Sequence, residues 1–283
     1  MDITHSYDGL GLEYKKSRQG IPGFASFVVF SVSLKTLRHG LPVTIVELGV
    51  GSGQQTEFIE KELESKGIYQ YRVLAFDKSY QSYPGEQPGQ LNILKERIAN
   101  GELSDKIVPI HYDFDGNILP IKSGSVYFSY MAHVFHHLNH KQEVFDEISR
   151  VTLKDGKHFI LGVTIEDLEN HPLNKYFPMK YKYDSIRYPT IEQLQGFFKS
   201  AGFTYEQPFL LGKHFERPVD RSFLESIENT TLDSALHIIK DDDPSGFQKG
   251  ILSVKKEVEQ AEKSGKYKTY FTDIIKVFWG TKN

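Results

Sequence analysis

The chain has 283 residues, and its 34 Lys and Arg against 37 Asp and Glu leave a net charge of −3, which excludes a general electrostatic hold on nucleic acid or an anionic membrane surface. The absence of cysteine removes disulfides, thiolate nucleophiles and cysteine-ligated metals together. No apolar run reaches the roughly 18 residues of a membrane span, and the polar, acidic start Met1-Asp2-Ile3-Thr4-His5 does not read as a secretory leader, so a cytoplasmic location is expected.

Residues 1–42 read as an N-terminal helical lid. Tyr14 and Arg18 lie in its polar lead, and Phe24, Phe27, Val28, Val32, Leu34 and Leu37 belong to a helix expected to end near Gly40 and Pro42. The segment either covers one side of a sheet or flaps over a ligand. From residue 43 strands and helices alternate. Strand 43–48 precedes helix 54–66, and strand 71–77 precedes helix 90–100. Strands follow at 107–111 and 125–130, then helix 141–151 and strand 157–163. Repeated units of this size predict a parallel sheet covered by helices, and the nearly unbroken apolar runs 43–48 and 71–77 suit strands buried on both faces. A cap segment spans about 165–190. A helix is expected from Thr190 to Ser200 and a strand over 203–210. Residues 211–265 form a helical insertion broken by Pro218 and by Asp241-Asp242-Asp243-Pro244. The closing run Tyr267–Trp279 is aromatic and β-branched, which predicts a last strand returning to the sheet after the insertion. Residues 43–283 are therefore read as one domain with cap elements.

The most chemical-looking turn is Glu47-Leu48-Gly49-Val50-Gly51-Ser52-Gly53, where the first strand meets a helix. Glycines there permit tight geometry and close approach of a ligand to the backbone. An ordinary strand-to-helix turn would use the same glycines, so the acids around it decide. Asp77 ends the second strand, where a carboxylate can accept both hydroxyls of a ribose. Glu47 would repel a pyrophosphate and suits a cationic or zwitterionic ligand portion better. After the third strand, Asp113 can accept from an exocyclic amine and Phe114 can pack on a purine face. Asp115 is near enough to be the acid instead.

These stretches resemble the class I S-adenosylmethionine-dependent methyltransferases, in particular their UbiE-like or type 11 small-molecule branch. The resemblance rests on Val46–Gly53, Phe76-Asp77, Asp113-Phe114 with Leu119-Pro120-Ile121, and Glu147–Lys157, similar to the family's E-x-x-R-V-L-K-P-G-G segment. Tyr188-Pro189-Thr190 and Ala201-Gly202-Phe203 resemble later landmarks. Thr152 and Asp155 depart from the usual Leu and Pro, and the loop from Asp113 to Leu119 is about two residues longer than the common form. The resemblance implies an α/β fold, a Rossmann-like sheet of seven strands with helices on both faces and the last strand antiparallel. It places Glu47 and the backbone of Gly49, Gly51 and Gly53 at the methionine portion of S-adenosylmethionine, Asp77 at the ribose, and Asp113 and Phe114 at the adenine. Lys78 joins this set beside Asp77, and Met131 lines the cofactor from the fourth strand.

On the reacting side, the loop Ser129–Leu138 carries His133, His136 and His137. His136 or His137 could remove a proton from an acceptor, or all three could be structural. His133 and His137 have the spacing of a zinc helix, but Val134 stands where such helices carry Glu, so no metal is expected. In the cap, Tyr176, Tyr183 and Arg187, with Tyr14 and Arg18, are candidates to bind an aromatic or carboxylate-bearing small molecule. Methyl transfer to such an acceptor is the leading expectation, by a monomer or homodimer. An NAD-dependent oxidoreductase and a non-catalytic S-adenosylmethionine-binding module are the alternatives.

Overall fold

The computed structural model describes residues 20–32, 42–79, 89–213, 216–230, 232–271 and 274–283. In chain order its elements begin with α1 (Pro22–Ser31), β1 (Val43–Leu48), α2 (Gln54–Ser65), β2 (Tyr71–Asp77), α3 (Gln90–Ala99) and β3 (Ile107–His111). Next come β4 (Val126–Ala132), α4 (Lys141–Val151), β5 (Thr152–Gly162), α5 (Ile165–Leu168), α6 (Lys180–Arg187) and α7 (Ile191–Ser200). The rest are β6 (Phe203–Tyr205), β7 (Phe209–Lys213), β8 (Glu216–Pro218), α8 (Arg221–Glu228), α9 (Ala235–Asp242), α10 (Pro244–Ser264), β9 (Thr269–Phe271) and β10 (Ile274–Lys282).

The main sheet runs β3-β2-β1-β4-β5-β10-β6, with β7 pairing to β10 beside this path. From β3 to β5 every pairing is parallel, whereas β10 is antiparallel to both β5 and β6. The seven strands on this path form the Rossmann-like sheet, helices on both faces, that the resemblance implied, and β7 adds an eighth strand beside it. Alternation along each strand sorts side chains between the faces. On one face Val46, Leu48, Met131, Ile160 and Phe278 pack with Val144, Phe145 and Ile148 of α4 and Leu194 and Phe198 of α7. On the other, Phe24 of α1 meets Tyr130 edge-on at 5.9 Å and Phe27 meets Phe159 at 6.3 Å. The α4 helix forms because Val144, Phe145, Ile148 and Val151 recur at helical spacing, and all four are buried.

Three strand assignments differ from the sequence pattern, one being the expected strand 203–210, which divides into β6 and β7. β5 starts at Thr152 rather than near 157, because α4 passes into it directly and Thr152 pairs with Val126. The closing aromatic run divides into β9, which pairs with β8 in a separate two-stranded sheet, and β10, which enters the main sheet.

The chain separates into two compact units. The sheet unit comprises the described residues up to Gly162, with Glu192–Phe209 and Lys276–Asn283. The cap unit comprises Val163–Ile191 and Leu210–Ile275 and has its own core, in which Phe177, Phe223, Ile227, Leu236, Phe247 and Val254 are buried. Among the described residues no helix is long and apolar enough to cross a membrane.

Candidate cofactor site at the carboxyl edge of the sheet

Parallel strands deliver their carboxyl ends to one edge, and β1, β2, β3 and β4 end there side by side. β1 turns through Gly49, Gly51 and Gly53, each with positive φ (74°, 56° and 79°). Two of these are fixed by space as well: a Cβ on Gly49 would lie 2.3 Å from Val134, and one on Gly53 2.6 Å from Leu94. Gly51 differs. A Cβ there meets nothing within 4 Å, so the turn has open space above it.

Asp77 ties the turn to the end of β2. Its carboxylate accepts from the backbone N–H of Gly51 and of Ser79, each at 2.8 Å. Backbone bonds from Gly49 and Val50 to the Phe76 carbonyl, at 2.8 and 3.0 Å, complete the join. From below, the buried Arg97 of α3 donates to the Ser52 carbonyl at 2.9 Å, to Glu57 at 2.6 Å and to Glu102 at 3.0 Å. Nothing in the sequence marked Arg97 for this role, since Ser52 and Glu57 lie 45 and 40 residues away along the chain.

Glu47 is brought next to the turn but is itself buried, only 1% exposed. Its Oε2 accepts from Thr56 Oγ1 at 2.5 Å and from Tyr130 Oη at 2.6 Å. Burial pushes its carboxyl from 4.5 up to about 8, against the lowering effect of those two hydrogen bonds. Tyr130 is raised well above its ordinary value by burial and by Glu47. Tyr130 is the residue beside Glu47 in the β1–β4 register, a pairing that only the strand order reveals.

The loop after β3 separates its acids. Asp115 accepts from the backbone N–H of Asn139, at 2.9 Å to its nearer oxygen, and of His140 at 2.8 Å, and from Asn139 Nδ2 at 3.1 Å. It thereby anchors the entry to α4. Asp113 remains 53% exposed, with Lys78 Nζ at 3.9 Å. Phe114 is buried in the core with Phe76, Leu119 and Leu138, so its ring is mostly enclosed by protein. Met131 is likewise fully buried in that cluster, and Ala132, one residue on, reaches the half-buried level at the strand end. The short 3₁₀ turn Phe135–His137 follows, holding the His136 and His137 rings with centroids 3.9 Å apart. Among the described residues no group of three or more His, Asp or Glu is arranged to hold a metal ion.

Tyr14 and Arg18 lie outside the described residues. Tyr176, Tyr183 and Arg187 belong to the cap unit. Within it the Arg187 side chain is buried, donating to Asp184 at 2.6 Å and to Ser234 at 2.8 Å. Tyr176 donates to Glu257 at 3.0 Å, and Tyr183 packs against the cap core.

Residues 46–160 match the family model described as a methyltransferase domain. No curated protein matches the chain. Among solved structures, the chain is similar in fold to a candidate methyltransferase from an antibiotic biosynthesis pathway of Anabaena variabilis, with a TM-score of 0.59 and 17% identity over 91% of this chain and 96% of that one. The YcgJ protein of Bacillus subtilis matches with a TM-score of 0.55 and 12% identity, covering 92% and 98%. A geranyl diphosphate methyltransferase matches with a TM-score of 0.53 and 12% identity, covering 92% and 78%. At such identities the likeness is one of fold. The seven-strand path, with its antiparallel β10, is what the sequence resemblance implied.

Proposed function

We propose that the chain transfers a methyl group from S-adenosylmethionine to a small-molecule acceptor. The observation that carries this reading is the convergence of the glycine turn, Asp77 and Asp113 at one sheet edge, with open space over Gly51 where a ligand must approach the backbone. S-adenosylmethionine supplies an already activated methyl on a sulfonium, so the protein needs to align, exclude water and remove a proton rather than form a covalent intermediate.

The chain's own residues suit those tasks. Two backbone N–H bonds orient Asp77, and a carboxylate has further lone pairs to receive ribose hydroxyls. Asp113, not Asp115, is assigned to the adenine amine, because the Asp115 oxygens already accept from Asn139 and His140. Lys78 beside Asp113 limits the negative charge there. The Phe114 ring and Met131 support the edge from within the core, and Glu47 holds β1, α2 and β4 together under the turn. His136 and His137 stand on the loop leaving β4, where an imidazole can take a proton from the acceptor.

Calorimetric titration of the full chain with S-adenosylmethionine, S-adenosylhomocysteine and NADH tests the cofactor. The first two bind and NADH does not. D77A lowers S-adenosylmethionine affinity by about tenfold or more, as expected for lost hydrogen bonds to a charged acceptor. NADH binding, or unchanged affinity in D77A, overturns the assignment. Incubation with methyl-labelled cofactor and a metabolite extract then identifies the acceptor by mass spectrometry. An absence of any labelled product would reduce the chain to a cofactor-binding module.

A further inference from the structure

The cap unit carries an open pocket of about 490 Å³, within the roughly 300–1,000 Å³ typical of small-molecule sites. Its lining comes from the segment 169–176, from Val219, from Glu257 on α10 and from residues 268–270 at β9. All of these lie in the cap unit.

Two chemically different groups of residues line this space. In one, Lys175 and Lys268 straddle Glu257, each ammonium 2.8 Å from a different carboxylate oxygen. Burial pushes the Glu257 carboxyl up, but bonds from Lys175, Lys268 and Tyr176 hold it at about 2, so it stays ionised. The lysines are 57% and 69% exposed, and an ammonium carries three donors, so both keep capacity for a second carboxylate. In the other, Asn174 donates its amide N–H groups to the carbonyls of Leu168 and Glu169, both at 3.0 Å. Those two bonds fix the amide orientation and leave its buried Oδ1 without a donor among the described residues. The exposed Glu169 lines the same space.

The buried Tyr176, Tyr270 and His171 provide an uncharged wall. His171 is kept neutral because burial and then Lys180 push it down to about 3. The Leu173 N–H occupies its Nδ1, which puts the ring proton on Nε2, 3.2 Å from Tyr270 Oη. The charged lining residues Lys175, Lys268, Glu169 and Glu257 sum to zero. A ligand bearing one charge would unbalance that set, whereas a ligand with one charge of each sign satisfies both groups.

We propose that the cap pocket binds an amino acid zwitterion, its carboxylate toward Lys175 and Lys268, its ammonium toward Asn174 and Glu169, and its side chain against Tyr176 and Tyr270. The site does not depend on methyl transfer, because binding is measured without cofactor. Calorimetry of the full chain compares L-phenylalanine with 3-phenylpropionate, which lacks the amine, and 2-phenylethylamine, which lacks the carboxylate. L-phenylalanine binds at least about tenfold more tightly than either, since each analogue leaves one group unpaired. The surface variant K175A/K268A, checked for folding by circular dichroism, loses a similar factor for L-phenylalanine and little for 2-phenylethylamine. Equal binding of the three compounds overturns the proposal. So does unchanged L-phenylalanine affinity in the double variant, or no saturable millimolar binding of L-phenylalanine, L-leucine or L-serine.

Discussion

The sequence suggests Glu47 as a carboxylate facing the cationic portion of a ligand, yet in the fold its carboxyl is held well above the ordinary carboxylate range. The cause is burial between β1, α2 and β4, which raises it from 4.5 to about 8. Because the folded value lies above the unfolded one, the folded chain retains a proton that the unfolded chain releases. That contribution to stability is fully present below pH 4.5 and is lost as pH rises through about 8. Between those limits stability falls by at most about 1.4 kcal/mol per pH unit from this group. E47Q, neutral at every pH and still able to accept from Thr56 and Tyr130, removes this slope. Urea denaturation at intervals from pH 5 to about 9 checks it, and parallel slopes in the two proteins would show that Glu47 is ionised in the fold. The residue's type and position were legible in the sequence, but its charge was not. The argument that it repels a pyrophosphate assumed an exposed, ionised group, and the Tyr130 and Thr56 hydroxyls that enclose it come from distant elements. Asp115 shows the same gap: in the sequence it competes with Asp113, and only the fold places it against the backbone entering α4.

The β1–α2 connection works as a braced element, held by Asp77 from the side and Arg97 from below. Its glycines therefore predict different outcomes. G49A combines a positive φ with a Cβ only 2.3 Å from Val134, so it forces movement at the start of the β4 loop and costs well over the ~1–2 kcal/mol of left-handed strain. G51A bears only that strain, because its Cβ enters open space. Under the proposed function that space receives the ligand, so G51A is expected to weaken S-adenosylmethionine binding while remaining close to wild type in thermal stability. Equal stability loss in the two variants, or full cofactor affinity in G51A, contradicts this division. The core strands and helices were legible because their periodicity is local: 43–48, 71–77 and 107–111 match β1, β2 and β3 residue for residue. Boundaries failed where long-range pairing decided them. Tyr267–Trp279 is uniformly β-branched and aromatic, and its division follows from two different partners, β8 and β5.

Each unit has a separate hydrophobic core, so stability should respond unit by unit. Phe278 is buried in the sheet unit and Phe223 in the cap unit. Replacing either by Ala removes roughly 3–5 kcal/mol from its own core. Hydrogen exchange read by mass spectrometry distinguishes them: F223A lowers protection within 163–191 and 210–275, whereas F278A lowers it within the sheet strands. Uniform loss across the chain in both variants would show one cooperative body. The cap helices were foreseen from Pro218, from the acidic break at 241–244 and from apolar spacing. Their assembly into a unit with its own pocket was not, because Tyr176, Glu257 and Tyr270 are brought together only by the fold.

β10 occupies the slot between β5 and β6 but follows the whole cap in the chain. During synthesis, β5 is therefore made with one row of backbone groups waiting for a neighbour that does not yet exist, and β6 has no path partner other than β10. A nascent chain cannot complete its sheet by adding strands outward from a finished edge. It must keep a gap open while more than half of the cap emerges, with the exposed β5 edge able to template pairing with other chains. The final event is insertion of a strand between two others, a non-local closure of the kind that makes folding slow. The strand that marks the fold is thus also the one that sets when the newborn protein becomes safe from aggregation.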